Sequence, residues 1–367
     1  MPSEEVPLAL LPHREYTRVI RPFLPPDAFR TSPRKIWGIA LYTIFFFLGV
    51  IAVGHVDELW QRALLGLGLG FCVSNLAFYG HDLSHGSIVR NPWVRNPLEI
   101  WIWSLRLMPA IMWRRLHNET HHVFSNTQRD CDRQLLVSEL NWPVRTLSRV
   151  VTPFDNPVRW SPIVGLAFVS YTFAHIGLGF LNGWRGGPSG PYTTAYRNGR
   201  LARMAIEVLI GIGIQVGILA LVGWDLSAYI WCGPVPIAIS SAVTMAYIFT
   251  NHFLNPITDV PDPVVGTTSV AVPRWVDWLH LNFSYHTEHH LFPGLNSDYY
   301  PLVGELLEKN FSDRYNRISI FTAWRRLWSV HLGGKITPSR TIILRTDENH
   351  INDCSKKESS PETVSTS

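Results

Sequence analysis

The sequence His286-Thr287-Glu288-His289-His290 determines how the rest of this chain is interpreted. Two similar clusters precede it, His81-Asp82-Leu83-Ser84-His85 and His117-Asn118-Glu119-Thr120-His121-His122. Together the three clusters cover 16 residues and contain eight of the 15 histidines in the chain. This concentration indicates that the three clusters meet at one site.

The spacing within the clusters is typical of metal ligands. If each cluster is helical, its histidines recur at i,i+4, at i,i+4,i+5 or at i,i+3,i+4 and project from one face. Neutral imidazole binds iron, zinc, copper and nickel, and eight imidazoles exceed the roughly four to six ligands of one ion. The sequence therefore predicts two metal ions. Nearby acids are candidates to accept the second ring N–H of a ligating histidine; they are Asp82, Glu119, Asp130, Asp132 and Glu288.

The composition indicates a membrane protein. Apolar residues make up 46% of the chain and charged residues 16%, against about 25% charged residues in an average soluble protein. The net charge of +4 is small, and its cations flank apolar runs, so we expect membrane orientation and no nucleic-acid binding. The four cysteines lie far apart without a C-x-x-C pair, which predicts free thiols in a reducing compartment; they are Cys72, Cys131, Cys232 and Cys354.

Four apolar runs predict transmembrane helices at about 36–53, 62–80, 204–222 and 229–250. Several arginines precede the first run, whereas the two short connectors carry Asp57, Glu58 and Asp225 and no cation before the next run. Because cations favour the cytoplasmic side, residues 1–35 are predicted to form a cytosolic segment. The predicted fold is an all-α integral membrane protein, with four transmembrane helices in two hairpins and a cytosolic helical cap that carries the histidine boxes.

Other stretches have less regular patterns. Residues 97–113 and 162–181 are apolar enough to lie along or dip into the membrane interface. Pro234 and Pro236 are expected to kink the fourth helix near its outer end. The tail at 346–367 lacks aromatic residues and is rich in Ser, Thr, Glu and Lys, which predicts disorder.

The order H-x-x-x-H, H-x-x-x-H-H and H-x-x-H-H, with a hydrophobic hairpin before the first box and another before the third, resembles the membrane-bound fatty acid desaturases over residues 36–320. The resemblance implies a di-iron centre (Fe²⁺/Fe³⁺) on the cytoplasmic face that uses O₂ to insert a double bond into an acyl chain. It also implies one further polar ligand after the last transmembrane helix, which His252, alone or with Asn251, matches. The box residues implied as catalytic and as iron ligands are His81, His85, His117, His121, His122, His286, His289 and His290.

The same resemblance implies several partners. The substrate would be an acyl-lipid, an acyl-CoA or an acyl-carrier protein, and O₂ would be the oxidant. The chain has no ferredoxin-like cysteine cluster and no recognisable haem-binding segment, so it needs an external electron donor such as ferredoxin or a b-type cytochrome.

Alternative functions remain open. Related di-iron hydroxylases, acetylenases and carotenoid ketolases carry the same boxes. A zinc hydrolase would typically contain H-E-x-x-H, which is absent here. A metal transporter would place its ligands near the membrane midplane, in broken helices and often in repeated halves, whereas these clusters follow the helix ends.

Overall fold

The computed structural model describes residues 9–130, 172–173, 176–177 and 200–329. The predictions for Asp132, for the tail at 346–367 and for most of segment 162–181 lie outside these residues. The helices, in chain order, are α1 His13–Ile20, α2 Ile36–Val53, α3 Leu59–Ser84, α4 Pro92–Ser104, α5 Ala110–Arg114, a π-helix Arg115–His121, α6 His122–Phe124, α7 Arg200–Leu221, α8 Leu226–Cys232, α9 Pro234–His252, α10 Arg274–Leu279, α11 His286–Leu291, α12 Tyr300–Phe311 and α13 Ile320–Ser329.

The remaining regular structure is short. The strands β1 Ser269–Ala271 and β2 Arg317–Ser319 form a parallel pair, with Val270 opposite Ile318. Single 3₁₀ turns are found at Arg21–Phe23, Pro26–Phe29, Pro33–Lys35 and Ser297–Tyr299.

Four helical segments are long and apolar enough to cross a membrane: Pro33–Val53, Leu59–Ser84, Leu201–Leu221 and Leu226–His252. Large apolar side chains on these segments remain exposed, among them Leu64 and Leu209, with exposed fractions of 60% and 67%. Such surfaces are unusual in contact with water but suit contact with lipid. The predicted all-α fold with four such helices is confirmed.

Helix α3 is the most buried of these segments and packs against α2 and α9. Small residues permit the close approach, because a Cβ atom added at Gly70 would lie only 2.7 Å from side-chain carbons of Ile239. The interior between the helices is filled by Phe46, Leu69 and Leu76, and Ile218 of α7 extends the same apolar core.

The fourth apolar segment is interrupted. Gly233 has φ −113° and ψ −81° and separates α8 from α9. Proline is tolerated in the first turn of a helix, where its missing N–H needs no partner, so Pro234 and Pro236 both fit at the start of α9. The break therefore falls at Gly233, just before the two prolines that were expected to kink a continuous helix.

The N-terminal helix packs on the part of the chain that contains the third histidine box. Tyr16 and Ile20 of α1 are fully buried in an apolar cluster with Leu291 of α11 and Val303 of α12. The Tyr16 hydroxyl donates a hydrogen bond of 2.9 Å to Asp262, and burial is the main cause that raises the pKa of Tyr16. Helix α1 thus helps to hold α11 in place.

Candidate metal centre

The folded chain brings all eight box histidines together, and His252 joins them. Each histidine offers one nitrogen to one of two groups, and within each group these nitrogens lie within 4.8 Å of one another. The five-histidine group contains His81, His85, His117, His122 and His289. The four-histidine group contains His121, His252, His286 and His290.

The long helices α3 and α9 end at the two histidine groups. His81 lies in the last turn of α3, and His85 caps that helix. His252 is the last residue of α9. Both helices are candidate membrane spans, so the histidine groups lie where these spans end.

The second and third boxes are each divided between the groups. In α11, His286 and His290 (i,i+4) face the four-histidine group with their Nε2 atoms 3.1 Å apart, while His289 faces the other group. In the second box, His117 and His122 (i,i+5) pair at 3.1 Å in the five-histidine group. The three histidines of each of these two boxes therefore serve two neighbouring groups.

A π-helix produces the i,i+5 pairing. Residues Arg115–His121 are π-helical, so residues five apart in this turn lie on one face, as residues four apart do in an α-helix. His117 and His122 consequently converge, and His121 points to the four-histidine group. Single π-turns often mark functional sites, and this one allows an H-x-x-x-H-H sequence to serve both groups.

The nitrogen atoms fit a metal better than they fit each other. The Nε2 atom of His117 lies 3.0 Å from that of His81 and 3.1 Å from that of His122, which is itself 3.0 Å from that of His289. A neutral imidazole nitrogen either carries a proton or offers a lone pair, so such a series makes poor hydrogen bonds. Lone pairs that converge on one ion satisfy all of these atoms.

The protonation states favour the same interpretation. Burial, reinforced by neighbouring histidines, lowers the pKa of six box histidines well below the usual value of 6.5. They are His85, His117, His122, His286, His289 and His290. These imidazoles are therefore neutral at pH 7, which is the form that binds metal.

Two side chains fix histidines through the second ring nitrogen. The Nδ1 atom of His121 lies 3.0 Å from a carboxylate oxygen of Asp130, and the Nδ1 atom of His289 lies 2.9 Å from the Tyr300 hydroxyl oxygen. Such partners orient the ring and leave Nε2 for a metal. Asp130 was among the predicted candidates. Tyr300 was missed, because a tyrosine 11 residues beyond His289 carries no spacing signal.

The other predicted acids make different contacts. Asp82 Oδ1 is 3.5 Å from His81 Nδ1, which is too long for a good hydrogen bond. Glu288 accepts hydrogen bonds from Ser269 and Tyr315 and points away from the histidines of its own box. Glu119 pairs with Arg115 near the surface. Only Asp130, among the described candidates, contacts a histidine at hydrogen-bond distance.

Other polar side chains surround the site. His280 belongs to neither group, and its Nδ1 atom lies 2.8 Å from the hydroxyl oxygen of Tyr247. Asn251 is fully buried beside His252, and its side-chain oxygen and nitrogen have no hydrogen-bond partner among the described residues.

Four potential membrane spans and two groups of histidines that could each hold a metal ion place this mostly helical chain in a class of membrane proteins with a histidine-rich centre. The family model for fatty acid desaturases matches residues 58–322, and the chain belongs to this family. That match includes all nine histidines of the two groups. The predicted resemblance is confirmed.

Two characterised proteins are similar to this chain. A Delta 8-(E)-sphingolipid desaturase from Lachancea kluyveri is 24% identical over 284 residues, which cover 69% of this chain and 47% of that protein. A chloroplastic omega-6 fatty acid desaturase from Spinacia oleracea is 21% identical over 318 residues, which cover 84% of this chain and 67% of that protein. The chain thus spans about half the length of the yeast relative and two thirds of the plant one.

Proposed function

We propose that this protein is an O₂-dependent fatty acyl desaturase that inserts a double bond at a di-iron centre. The observation that carries the proposal is the division of nine histidines, seven buried and two half-buried, into neighbouring groups of five and four. Two groups match the two metals expected from eight or nine imidazole ligands. Membership of the desaturase family selects iron and acyl-chain oxidation from the wider chemistry of such sites.

The proposed ligands of the first iron are the five-histidine group and those of the second are the four-histidine group, including His252. Bound iron would supply the O₂-dependent oxidation that an unactivated methylene C–H bond requires, since acid–base chemistry at neutral pH cannot cleave it. The protein supplies neutral, buried imidazoles. Asp130 and Tyr300 orient two of them by accepting hydrogen bonds from Nδ1–H.

Electron balance requires an additional partner. Forming one C=C bond removes two protons and two electrons from the substrate, whereas reducing O₂ to two waters consumes four protons and four electrons. The other two electrons come from outside, and we propose ferredoxin or a b-type cytochrome as the donor.

The proposed substrate is an acyl chain attached to a membrane lipid, CoA or a carrier protein. The two relatives, one a sphingolipid desaturase and one a fatty acid desaturase, both support a lipid substrate. We place the site on the cytoplasmic face, because the arginines that precede α2 favour a cytoplasmic N-terminus and α3 returns the chain to the same side.

Two measurements test this proposal. Purified protein should contain about two irons per chain, and expression in a host that lacks the activity should produce new unsaturated acyl chains detected by mass spectrometry. The His286→Ala variant should produce none. A hydroxylated, acetylenic or ketone product would favour the related di-iron enzymes, and zinc without iron would contradict the proposal. Metal transport without acyl products would favour a transporter.

A further inference from the structure

Lys35 is a buried cation at the junction of three distant parts of the chain. It lies at the start of the first apolar segment with only 8% of its surface exposed. Its Nζ atom donates to Asn296 Oδ1 at 3.0 Å and to Ser297 Oγ at 2.6 Å. It also lies 3.2 Å from Asp298 and 3.6 Å from Asp82.

These contacts connect the first histidine box to the loop that follows the third. Ser297 Oγ donates a hydrogen bond of 2.8 Å to Asp82 Oδ2, and Lys35 approaches the same carboxylate oxygen. The other oxygen, Asp82 Oδ1, faces His81 Nδ1 at 3.5 Å. The carboxylate is therefore held from one side while its free oxygen faces a histidine of the five-histidine group.

The orientation of His81 explains why this arrangement matters. Its Nε2 atom lies 3.0 Å from His117 Nε2, inside the five-histidine group. Its Nδ1 atom is buried and has no hydrogen-bond partner among the described residues. A movement of a few tenths of an ångström would bring Nδ1–H into hydrogen-bond distance of Asp82. The Asp82 carboxylate is thus placed to orient His81.

Stability alone does not account for Lys35. A buried ion pair commonly contributes little net stability, because removing both charges from water costs about as much as their attraction returns. Removing only one partner, however, leaves an uncompensated buried charge. Without Lys35, Asp82 would have to turn towards solvent or another donor, and its position beside His81 would change.

We propose that Lys35 is a positioning residue for the five-histidine group, acting by holding the Asp82 carboxylate beside His81. This inference rests on the proposed binding of two irons. It assigns to the start of the first membrane segment a role in retaining one specific iron. Because Lys35 contacts no member of the four-histidine group among the described residues, that group should be independent of it.

The decisive variant is Lys35→Met, which keeps the length of the side chain and removes its charge. Its matched control is Arg34→Met, because Arg34 is the adjacent cation, is 75% exposed at its side chain and, among the described residues, forms an ion pair with Asp298 alone. Lys35→Arg is the conservative variant that should restore the wild-type behaviour. All are compared as full-length protein in the same detergent or nanodisc.

The readouts are iron per chain and the rate of iron release to a chelator. Wild type and Arg34→Met should hold about two irons, whereas Lys35→Met should retain about one and release the other about 10 to 100 times more readily. Lys35→Arg should recover most of the lost iron. The Ser297→Ala variant removes the hydrogen bond that Ser297 donates to Asp82 while keeping the Lys35 charge, and it should show a smaller loss of the same iron.

Each other result is informative. Two tightly held irons in Lys35→Met would overturn the inference, as would equal loss of both irons in Lys35→Met and Ser297→Ala, which would indicate general destabilisation. Ser297→Ala also serves as the test if Lys35→Met does not fold. A wild-type protein without iron would instead contradict the proposed function, so the two failures are distinguishable.

Discussion

His252 Nε2 lies 2.7 Å from His286 Nε2, although the two residues are 34 positions apart. His252 is outside the three histidine boxes and ends a long apolar helix. A histidine at such a position often packs its ring at the interface and leaves its nitrogen in water. Here only 3% of the residue is exposed, and its side chain belongs to the four-histidine group.

We therefore expect the His252→Ala variant to lose iron from the four-histidine group. Iron per chain should fall from about two towards one, and most desaturation should be lost, because three imidazoles hold an ion less tightly than four. The matched control is His55→Ala, because His55 is exposed and its side chain contacts only the Ile51 carbonyl among the hydrogen bonds of the described residues. Full iron and full activity in His252→Ala would show that eight histidines suffice.

The Asp130→Ala variant should weaken iron binding without removing a ligand. Asp130 accepts the hydrogen bond from His121 Nδ1 and is itself 3% exposed. Losing such a partner typically costs about 10 to 100-fold in metal affinity, and chelator competition measures this change. Glu119→Ala, an acid of the same box whose side chain is 46% exposed, should bind iron like wild type. Equal affinities in the two variants would remove Asp130 from the site.

The sequence predicted much of this centre, for a physical reason. Histidines three to five residues apart must lie close together on any helix, so local spacing indicated the boxes and the apolar runs indicated the four long helices. The division of the second and third boxes between two groups was not predictable in this way, because it depends on how α11 and the π-helix face each other. Tyr300 and Lys35 were missed because their contacts join parts of the chain that are remote in sequence.

His280 should make stability depend on pH independently of the two metal groups. Burial lowers the pKa of His280 to about 4, so the unfolded chain binds a proton at higher pH than the folded chain does. The contribution of neutral His280 to the free energy of unfolding is fully present above about pH 6.5 and is lost as the pH falls towards 4. The His280→Asn variant keeps an acceptor near Tyr247 but does not titrate, so its melting temperature should decrease less between pH 7.5 and 5.5. If the melting temperature of His280→Asn decreased as much as that of the wild type, His280 would not be the source of this pH dependence.

The proposed topology predicts which surfaces a membrane-impermeant thiol reagent can reach in intact cells. Asp57→Cys, in the fully exposed connector between α2 and α3, should react from outside, whereas Arg14→Cys should react only after lysis. The background lacks the four native cysteines, which are Cys72, Cys131, Cys232 and Cys354. Labelling of Arg14→Cys in intact cells would place the N-terminal helix, and the α11 packed against it, on the outer side.

The π-helix predicts that the second box tolerates a deletion but not an insertion. In α11 the paired histidines are four residues apart and the third histidine of the box serves the other group. In the second box the pair is five residues apart, and the π-turn absorbs the additional residue. Deleting Glu119 would leave H-x-x-H-H, the spacing of the third box, and an ordinary α-helix would then present the same three imidazoles.

We therefore expect the variant that lacks Glu119 to retain both irons and measurable desaturase activity. Its matched partner inserts one alanine after Glu119, which separates His117 and His122 by six residues. Neither an α-helix nor a π-helix places residues six apart on one face, so this variant should lose iron from both groups. Glu119 suits the comparison because its side chain is 46% exposed and its ion pair with Arg115 is near the surface, where such pairs contribute little stability. If the deletion lost as much iron as the insertion, the π-turn would have a role beyond absorbing one residue.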